Sequence, residues 1–367
     1  MAYALSRAVV LVVALLVGLL ADRPGEGPWP DVPPPRVAAL EALNRWDGAW
    51  YLDIAGRGYA DGRDPADSDN LAFFPLYPLL VRGVAPLGVP LGLAGVLVTT
   101  ASGALAAAAV ALLARRISGA AAARRTAFVF CFFPGAMVLS MAYAEGLTIA
   151  AAAACLLALL DRRWALAGAA AAVAGLTRPN GSVLVVVCLW AAVAAWRRER
   201  DRGAVVAPVL ACTGVTAYFA FVWARTGDVL GWFAVQREAW GDYLDPGLST
   251  VERFLRLPTH LPTSLESRAL NDLVWVLGTL AVAGGVVLLL RWRPPAPVAV
   301  YGLVATAMVM ASHNVGPRPR MLLAAFPLVM AAAVELRGRS HRVLVLTNAV
   351  LLAVLTAITL TTLAAVP

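Results

Sequence analysis

The chain has 367 residues, of which 60% are hydrophobic and 14% charged, and its mean hydropathy is +0.75. Soluble globular domains carry far more charge, so the composition excludes that class and indicates a membrane protein that crosses the bilayer several times. The formal net charge of +8 does not indicate a nucleic-acid partner, because much of the arginine excess lies in short clusters between apolar runs.

Apolar runs recur along the whole chain and predict an all-helical membrane protein with about eleven spans. A spanning helix needs about 20 predominantly apolar residues, so the shorter runs require tilting or support from neighbouring helices. No small-residue cleavage motif follows the first run, which we expect to be retained as helix one. The runs lie at residues 3–21, 91–114, 126–143, 146–160, 164–177, 181–196, 204–224, 271–290, 297–313, 321–336 and 343–363.

Arginine clusters occupy every second break between these runs, and the positive-inside rule assigns those breaks to the cytoplasm. They lie at residues 115–125, 162–163, 197–202, 291–293 and 337–342. This assignment puts the N terminus in the cytoplasm and the C terminus outside. The outer breaks are then residues 22–90, 143–146, 177–181, 225–270 and 313–320.

The outer breaks hold most of the polar side chains that are unusual in such a chain, whereas the cytoplasmic breaks contain little besides arginine. A transporter is expected to place ionisable residues near mid-bilayer, within two related halves of the chain. No such internal repeat is visible. The asymmetry favours a catalytic site at the outer membrane surface.

The first outer segment, residues 22–90, contains the stretch NRWDGAWYLDIAGRGY. A continuous helix over residues 36–59 would align one apolar stripe, as expected of a helix that lies in the membrane interface. The stripe consists of Leu40, Leu43, Trp46, Trp50 and Ile54. Such a stripe alone is more often an anchor than a site.

The two carboxylates of this stretch differ in their neighbours. Asp53 has Arg57 four residues on, an ordinary helix ion pair, whereas Asp47 has no basic residue at that spacing. We therefore expect Asp47 to be unpaired and partly desolvated, which raises the pKa of a carboxyl group and suits it to accept a proton. The alternative, a capping or surface acid, has about equal weight on spacing alone.

Three arginines at outer breaks depart from the positive-inside pattern: Arg178 in GLTRPNG, and Arg318 and Arg320 in HNVGPRPR. A guanidinium that faces a pocket is suited to bidentate binding of a phosphate. Snorkelling to lipid headgroups explains the same positions equally well.

Six blocks follow one another in order along residues 44–328: RWDGAWYLDIAGRGY, AFFPLYPLL, FPGAMVLSMAYAEG, GLTRPNG, QREAW and PRPRMLLAAFPL. Together they resemble the PIG-V family, the second mannosyltransferases of GPI-anchor assembly and their bacterial relatives among the GT-C membrane glycosyltransferases. Two blocks depart from the family pattern, because Ala144 and Pro179 each replace a serine.

The resemblance implies a single GT-C domain over residues 1–367 in a bacterial plasma membrane, with residues 225–270 on the acceptor side. It implies inverting transfer of mannose from a polyprenyl-phosphate carrier to an acceptor hydroxyl, a lipid or glycan, at the extracytoplasmic face. The matching catalytic base is Asp47. The alternative function is a non-catalytic lipid or glycolipid transporter or flippase.

In this mechanism Arg178, with Arg318 or Arg320, stabilises the charge on the leaving phosphate, and no metal cofactor is required. The predicted partners are the lipid-linked sugar, its acceptor and membrane lipids, without nucleic acid. We expect further substrate contacts from side chains of the same outer breaks. These are Trp46, Trp50, Tyr51, Glu145, Asn180, Gln236, Trp240 and His313.

Overall fold

The computed structural model describes residues 1–20, 39–64, 68–258 and 268–361, and within these ranges the chain is helical, with one isolated β-bridge. The prediction of an all-helical protein is confirmed. The helices are α1 (Ala2–Leu20), α2 (Ala39–Leu43), α3 (Asp47–Arg57), α4 (Leu76–Val84), α5 (Leu91–Cys131), α6 (Glu145–Leu160), α7 (Trp164–Gly175), α8 (Val183–Glu199), α9 (Val206–Thr226), α10 (Gly231–Glu238), α11 (Leu248–Arg256), α12 (Arg268–Trp292), α13 (Ala296–Met310), α14 (Pro319–Ala324), α15 (Phe326–Glu335) and α16 (Gly338–Thr361).

Six helical segments in the described part of the chain are long and apolar enough to cross a membrane. They are Ala2–Leu19, Leu91–Cys131, Pro179–Glu199, Arg202–Thr226, Ala269–Trp292 and Gly338–Thr361. Five shorter apolar segments accompany them, at Leu76–Leu87, Glu145–Leu160, Trp164–Gly175, Ala296–Met310 and Phe326–Glu335. A multi-pass helical protein is therefore confirmed, and the number of eleven spans stays a prediction.

The region predicted as two spans, residues 91–114 and 126–143, has a different form. One helix, α5, runs through most of it, and Gly119 interrupts its helical backbone with a positive φ of 85° that glycine adopts readily. A short 3₁₀ helix, Pro134–Leu139, follows and is fully buried. Arg7 of α1 donates to the main-chain oxygens of Cys131, at the end of α5, and of Ala136, in the 3₁₀ helix, and so satisfies both carbonyl groups.

The predicted continuous helix over residues 36–59 is wrong. The chain breaks between α2 and α3, where Trp46 has a positive φ of 62°, so the five apolar residues do not form one stripe. Residues 36–38 lie outside the described part. Helix α3 packs against α4 and α5 and buries Tyr51 and Ile54. The inner face of α3 is therefore part of the helical bundle, and the helix is not a free anchor on the membrane surface.

The breaks between helices form two groups, each joined by its own contacts. Arg116 pairs with Asp161, and Arg162 pairs with Asp201, which links three of the predicted cytoplasmic breaks. The predicted outer breaks meet through other contacts, among them an ion pair between Arg178 and Glu145. These contacts join breaks within each predicted group, while the assignment of either end to the cytoplasm stays a prediction.

Small residues allow close packing of α7 on α9. A Cβ atom added to Gly214 would lie 2.0 Å from the main-chain oxygen of Ala172, and one added to Gly168 would lie 2.6 Å from that of Ala207. Helices in membranes commonly approach through such small residues, because van der Waals contact replaces the hydrophobic driving force. This contact fixes the end of α7, directly before Arg178.

Candidate functional site

A pocket of about 190 Å³ lies where four of the five predicted outer breaks meet. Seven of the predicted site residues line it: Asp47, Tyr51, Arg178, Asn180, Gln236, Trp240 and Arg320. They come from segments that are up to 273 residues apart in sequence. The fold therefore brings together most of the side chains that the sequence singled out.

Asp47 and Arg320 form an ion pair beside this pocket. Nη1 of Arg320 lies 2.5 Å from Oδ2 of Asp47, and the two side chains are 7% and 13% exposed. Tyr143 lies against both: its hydroxyl accepts a hydrogen bond from the Asp47 amide, and its ring centroid is 5.6 Å from the guanidinium of Arg320. The prediction that Asp47 is unpaired is wrong, because helix spacing cannot reveal a partner from a distant segment.

The first residues of two helices explain how this pair is placed. Asp47 is the first residue of α3, where a carboxylate interacts favourably with the helix dipole. Arg320 is the second residue of α14 and follows Pro319, which has the fixed φ that suits a helix start. Gly135 packs directly on the main chain of Pro319, where an added Cβ would lie 2.2 Å from the oxygen.

A second buried ion pair joins Arg178 to Glu145. Nη1 of Arg178 lies 2.6 Å from Oε1 of Glu145, and both side chains are buried. Glu145 does not line the pocket, so the structure places it behind Arg178 as its counter-ion rather than at a substrate surface. The turn holding Arg178 folds back on α7 so tightly that a Cβ on Gly181 would lie 2.2 Å from the oxygen of Ala174.

Both pocket arginines retain unused hydrogen-bonding capacity. The Nε atoms of Arg178 and Arg320 are buried without a partner among the described residues, and their Nη2 atoms have none there either. Each guanidinium therefore donates from Nη1 to a protein carboxylate and retains Nε and Nη2 as further hydrogen-bond donors. Donors of this kind suit a multivalent anion such as a phosphate.

Arg318 is half-buried near the pocket and has neither an ion pair nor a side-chain hydrogen bond among the described residues. Desolvation by the surrounding protein, together with the positive charges of Arg320 and Arg253, lowers the pKa of Arg318 to about 10, although Asp47 and Asp242 act in the opposite direction. The side chain stays cationic at neutral pH. It does not line the pocket itself but contributes uncompensated positive charge beside it.

An aromatic wall forms one side of the pocket. Tyr51, Phe73 and Trp240 line it and meet edge to face, with ring centroids 5.1 Å apart for Tyr51 and Phe73 and 5.4 Å for Phe73 and Trp240. Trp240 also donates from Nε1 to the main-chain oxygen of Asp69. Trp50 supports the wall from behind through Trp240 and does not line the pocket.

Two further predicted substrate residues point elsewhere. Trp46 donates from Nε1 to the main-chain oxygen of Thr359 in α16, which is a packing contact. His313 stacks on Tyr243 at 4.2 Å, and its Nδ1 lies 2.7 Å from Oγ of Ser249. Neither lines the pocket, and a role of either residue in substrate binding stays a prediction.

Asp242 lines the pocket and was missed in the sequence. Its Oδ1 accepts hydrogen bonds from the Ser312 hydroxyl at 2.7 Å and the Asn314 amide at 2.9 Å. In the described part of the chain it has no cationic partner within an ion-pair distance. Its only sequence signal was its position two residues after Trp240, which did not distinguish it from Asp245.

Among the residues that the structure describes, no three His, Cys, Asp or Glu side chains group closely enough to hold a metal ion. The charged groups of the pocket are arginines and two separate aspartates. The prediction that transfer requires no metal stays a prediction.

Comparison with known proteins gives matches both in sequence and in fold. No family model matches the chain. In an alignment of 165 positions, which covers 38% of this chain and 35% of the relative, it is 32% identical to GPI mannosyltransferase 2 of Drosophila pseudoobscura pseudoobscura. The chain thus spans about a third of the length of the curated relative it matches.

The structural match extends over almost the whole chain. ArnT from Cupriavidus metallidurans bound to undecaprenyl phosphate superposes with a TM-score of 0.51 at 20% identity, over 93% of this chain and 61% of ArnT. At this identity the likeness concerns the fold alone. The two comparisons confirm the predicted resemblance: the chain is PIG-V-like in sequence over the matched segment and has the GT-C fold over nearly its whole length.

Proposed function

We propose that this protein is a membrane glycosyltransferase that transfers a mannosyl residue from a polyprenyl-phosphate carrier to an acceptor hydroxyl at the extracytoplasmic face. The observation that carries the proposal is the pocket in which Asp47 lies beside Arg320 and Arg178. The carboxylate supplies the base that this transfer needs, and the two guanidinium groups supply hydrogen-bond donors to the leaving phosphate. The similarity to a GPI mannosyltransferase supports mannose as the sugar.

In the proposed reaction Asp47 accepts the proton of the acceptor hydroxyl. The hydroxyl oxygen attacks the anomeric carbon on the face opposite the phosphate and forms the new glycosidic bond. The bond between that carbon and the phosphate oxygen breaks, and the phosphate leaves with the electron pair. The configuration at the anomeric carbon is therefore inverted.

The ion pair between Asp47 and Arg320 assigns a second role to the donor. In the free protein Arg320 binds Oδ2 of Asp47. A phosphate that enters the pocket attracts the guanidinium groups of Arg320 and Arg178, which loosens the hold of Arg320 on Asp47. Binding of the lipid-linked sugar thereby frees an oxygen of Asp47 to contact the acceptor hydroxyl.

The aromatic wall and the neighbouring polar residues contribute the groups for hydroxyl recognition. Asp242 and Gln236 can accept hydrogen bonds from sugar hydroxyls, and the rings of Trp240 and Tyr51 offer apolar faces. Asp242 is held in place through Oδ1, so its Oδ2 is available to a substrate. We assign the acceptor or the transferred sugar to this wall.

The experiment that tests the proposal uses purified protein in lipid nanodiscs with labelled polyprenyl-phosphate mannose and a membrane-lipid extract. We expect loss of labelled carrier and appearance of a labelled product only when both are present. A flippase would leave the carrier intact, and an unchanged carrier under all conditions would overturn the proposal.

A further inference from the structure

Helix α11, residues Leu248–Arg256, has an inverted distribution of polar and apolar side chains. Ser249 and Thr250 are only 6% and 8% exposed, whereas Leu248, Val251 and Leu255 are 72%, 58% and 72% exposed. The three apolar residues are spaced by three and four and lie on one side of the helix. On a protein surface exposed to water, an amphipathic helix packs its apolar side against the protein core.

The inward side of α11 is held by polar contacts to the beginning of α12. Arg253 pairs with Asp272 at 2.7 Å, and its guanidinium lies 4.1 Å from the ring centroid of Trp275. Nε1 of Trp275 donates to Thr250 Oγ1 at 3.0 Å. The orientation of α11 is therefore determined by specific bonds, and its apolar side is fixed outward.

The same contacts determine how deep α11 lies. Asp272 and Trp275 belong to the first turns of the candidate membrane span Ala269–Trp292. Leu277 and Leu280 of the same span are exposed on the outside of the bundle, as is typical of residues that face lipid. A helix bonded to the first turns of a spanning helix lies beside the end of that span. Its outward apolar side is therefore continuous with the lipid-facing surface of α12.

We infer that α11 is a membrane-interface helix, with Leu248, Val251 and Leu255 inserted among the lipids of the leaflet on the pocket side. Helices of this kind bury their apolar side about 5–10 Å into the boundary between headgroups and acyl chains. The exposed guanidinium of Arg256, at the C-terminal end of the helix, is then level with the lipid headgroups. This inference does not depend on the proposed enzymatic activity.

Attachment of α11 to the membrane also positions one side of the pocket. Trp275 packs on Gly316, where an added Cβ would lie 2.1 Å from the indole ring, and Ser249 of α11 contacts His313. Both contacts reach the segment of residues 312–320 that carries Arg318 and Arg320. Lipid contact on the outside of α11 thus supports the arginine segment on its inside.

The test measures quenching of a fluorophore by brominated lipids. Single cysteines replace Leu255, Val251 and, as the exposed polar control, Arg63 in a background without the four native cysteines, and each labelled protein is placed in nanodiscs. We expect quenching at residues 251 and 255 at least about twofold stronger than at residue 63, and strongest when the bromines are near the headgroup end of the acyl chain.

Equal quenching at residues 255, 251 and 63 would overturn the inference. Disulfide cross-linking between two chains through residue 255, without quenching, would also overturn it and assign this side of α11 to a second copy of the protein. The two labelled positions on α11 guard against a local defect, because each reports independently on the same side of the helix.

Discussion

Replacement of Asp47 by Asn tests both the chemistry and the packing of the site, and the structure separates the two effects. Asp47→Asn removes the proton acceptor and also leaves the Arg320 guanidinium buried without its counter-ion. Loss of one partner of a buried ion pair typically costs about 3–5 kcal/mol. Because Asn can still accept a hydrogen bond from Arg320, we expect a loss of about 3 kcal/mol in the free energy of unfolding, at the lower end of that range.

A double variant distinguishes the two effects. Arg320→Gln alone leaves the Asp47 carboxylate without its cation, whereas the combined Asp47→Asn and Arg320→Gln variant contains two neutral amides that can bond to each other. The interaction energy between neighbouring sites is typically about 0.5–3 kcal/mol, and we expect the upper part of this range here because both side chains are nearly buried.

The assay is the midpoint of thermal unfolding in nanodiscs, read from tryptophan fluorescence, together with transfer activity. We expect the double variant to unfold at a higher temperature than the Asp47→Asn protein and to lack transfer. A double variant that unfolds below both single variants would refute the stabilising role of the pair. A stable double variant with wild-type transfer would refute Asp47 as the base.

Three further predictions concern Arg178, which we expect to bind the phosphate, Asp242 and the membrane topology. Arg178→Lys should slow transfer by roughly a hundredfold, about 3 kcal/mol in the barrier, because an ammonium cannot reproduce the bidentate hydrogen bonds of a guanidinium. Wild-type turnover by both Arg178→Lys and Arg178→Ala would exclude a role of Arg178 in stabilising the leaving phosphate. Asp242→Asn should lower kcat/KM by at least about tenfold, since a hydrogen bond to a charged group contributes about 1.5–3 kcal/mol. Ser312→Ala removes one of the two hydrogen bonds that hold Asp242 and should cost less activity; equal losses in the two variants would show that Asp242 has a structural role alone. Single cysteines at Arg63 and Arg202 should differ in reaction with an impermeant maleimide on whole cells, the first labelled and the second not, and the reverse pattern would place the pocket in the cytoplasm.

The sequence predicted most of the breaks between helices, because apolar runs and arginine clusters are local signals, but residues 115–125 lie within α5. The same signals grouped Arg178, Gln236 and Arg320 at one end of the bundle, and the structure places all three in one pocket. Periodicity also identified the ion pair of Asp53 with Arg57, which α3 forms. The ion pair depends on residues that are near in sequence, and the grouping of breaks depends on the membrane, which separates the two ends of every spanning helix.

Contacts between distant segments explain the errors. The partner of Asp47 lies in α14, the partner of Arg178 begins α6, and the support of Trp46 comes from α16, none of which is visible from local spacing. The continuous helix across Trp46 was wrong because this residue has a positive φ, which interrupts the helix between α2 and α3. Asp242 was missed because only the hydrogen bonds from residues 312–314 direct it to the pocket.

Transfer of labelled mannose from polyprenyl phosphate, compared between the wild-type protein and matched aspartate variants, tests the central claim most directly. Asp53→Asn is the matched control, because Asp53 pairs with the exposed Arg57 on the same helix, and such pairs contribute at most about 1 kcal/mol. We predict transfer by the wild-type and Asp53→Asn proteins and a loss of at least about a hundredfold in Asp47→Asn. Wild-type transfer by Asp47→Asn, or no transfer by the wild-type protein with any membrane-lipid acceptor, would contradict the account.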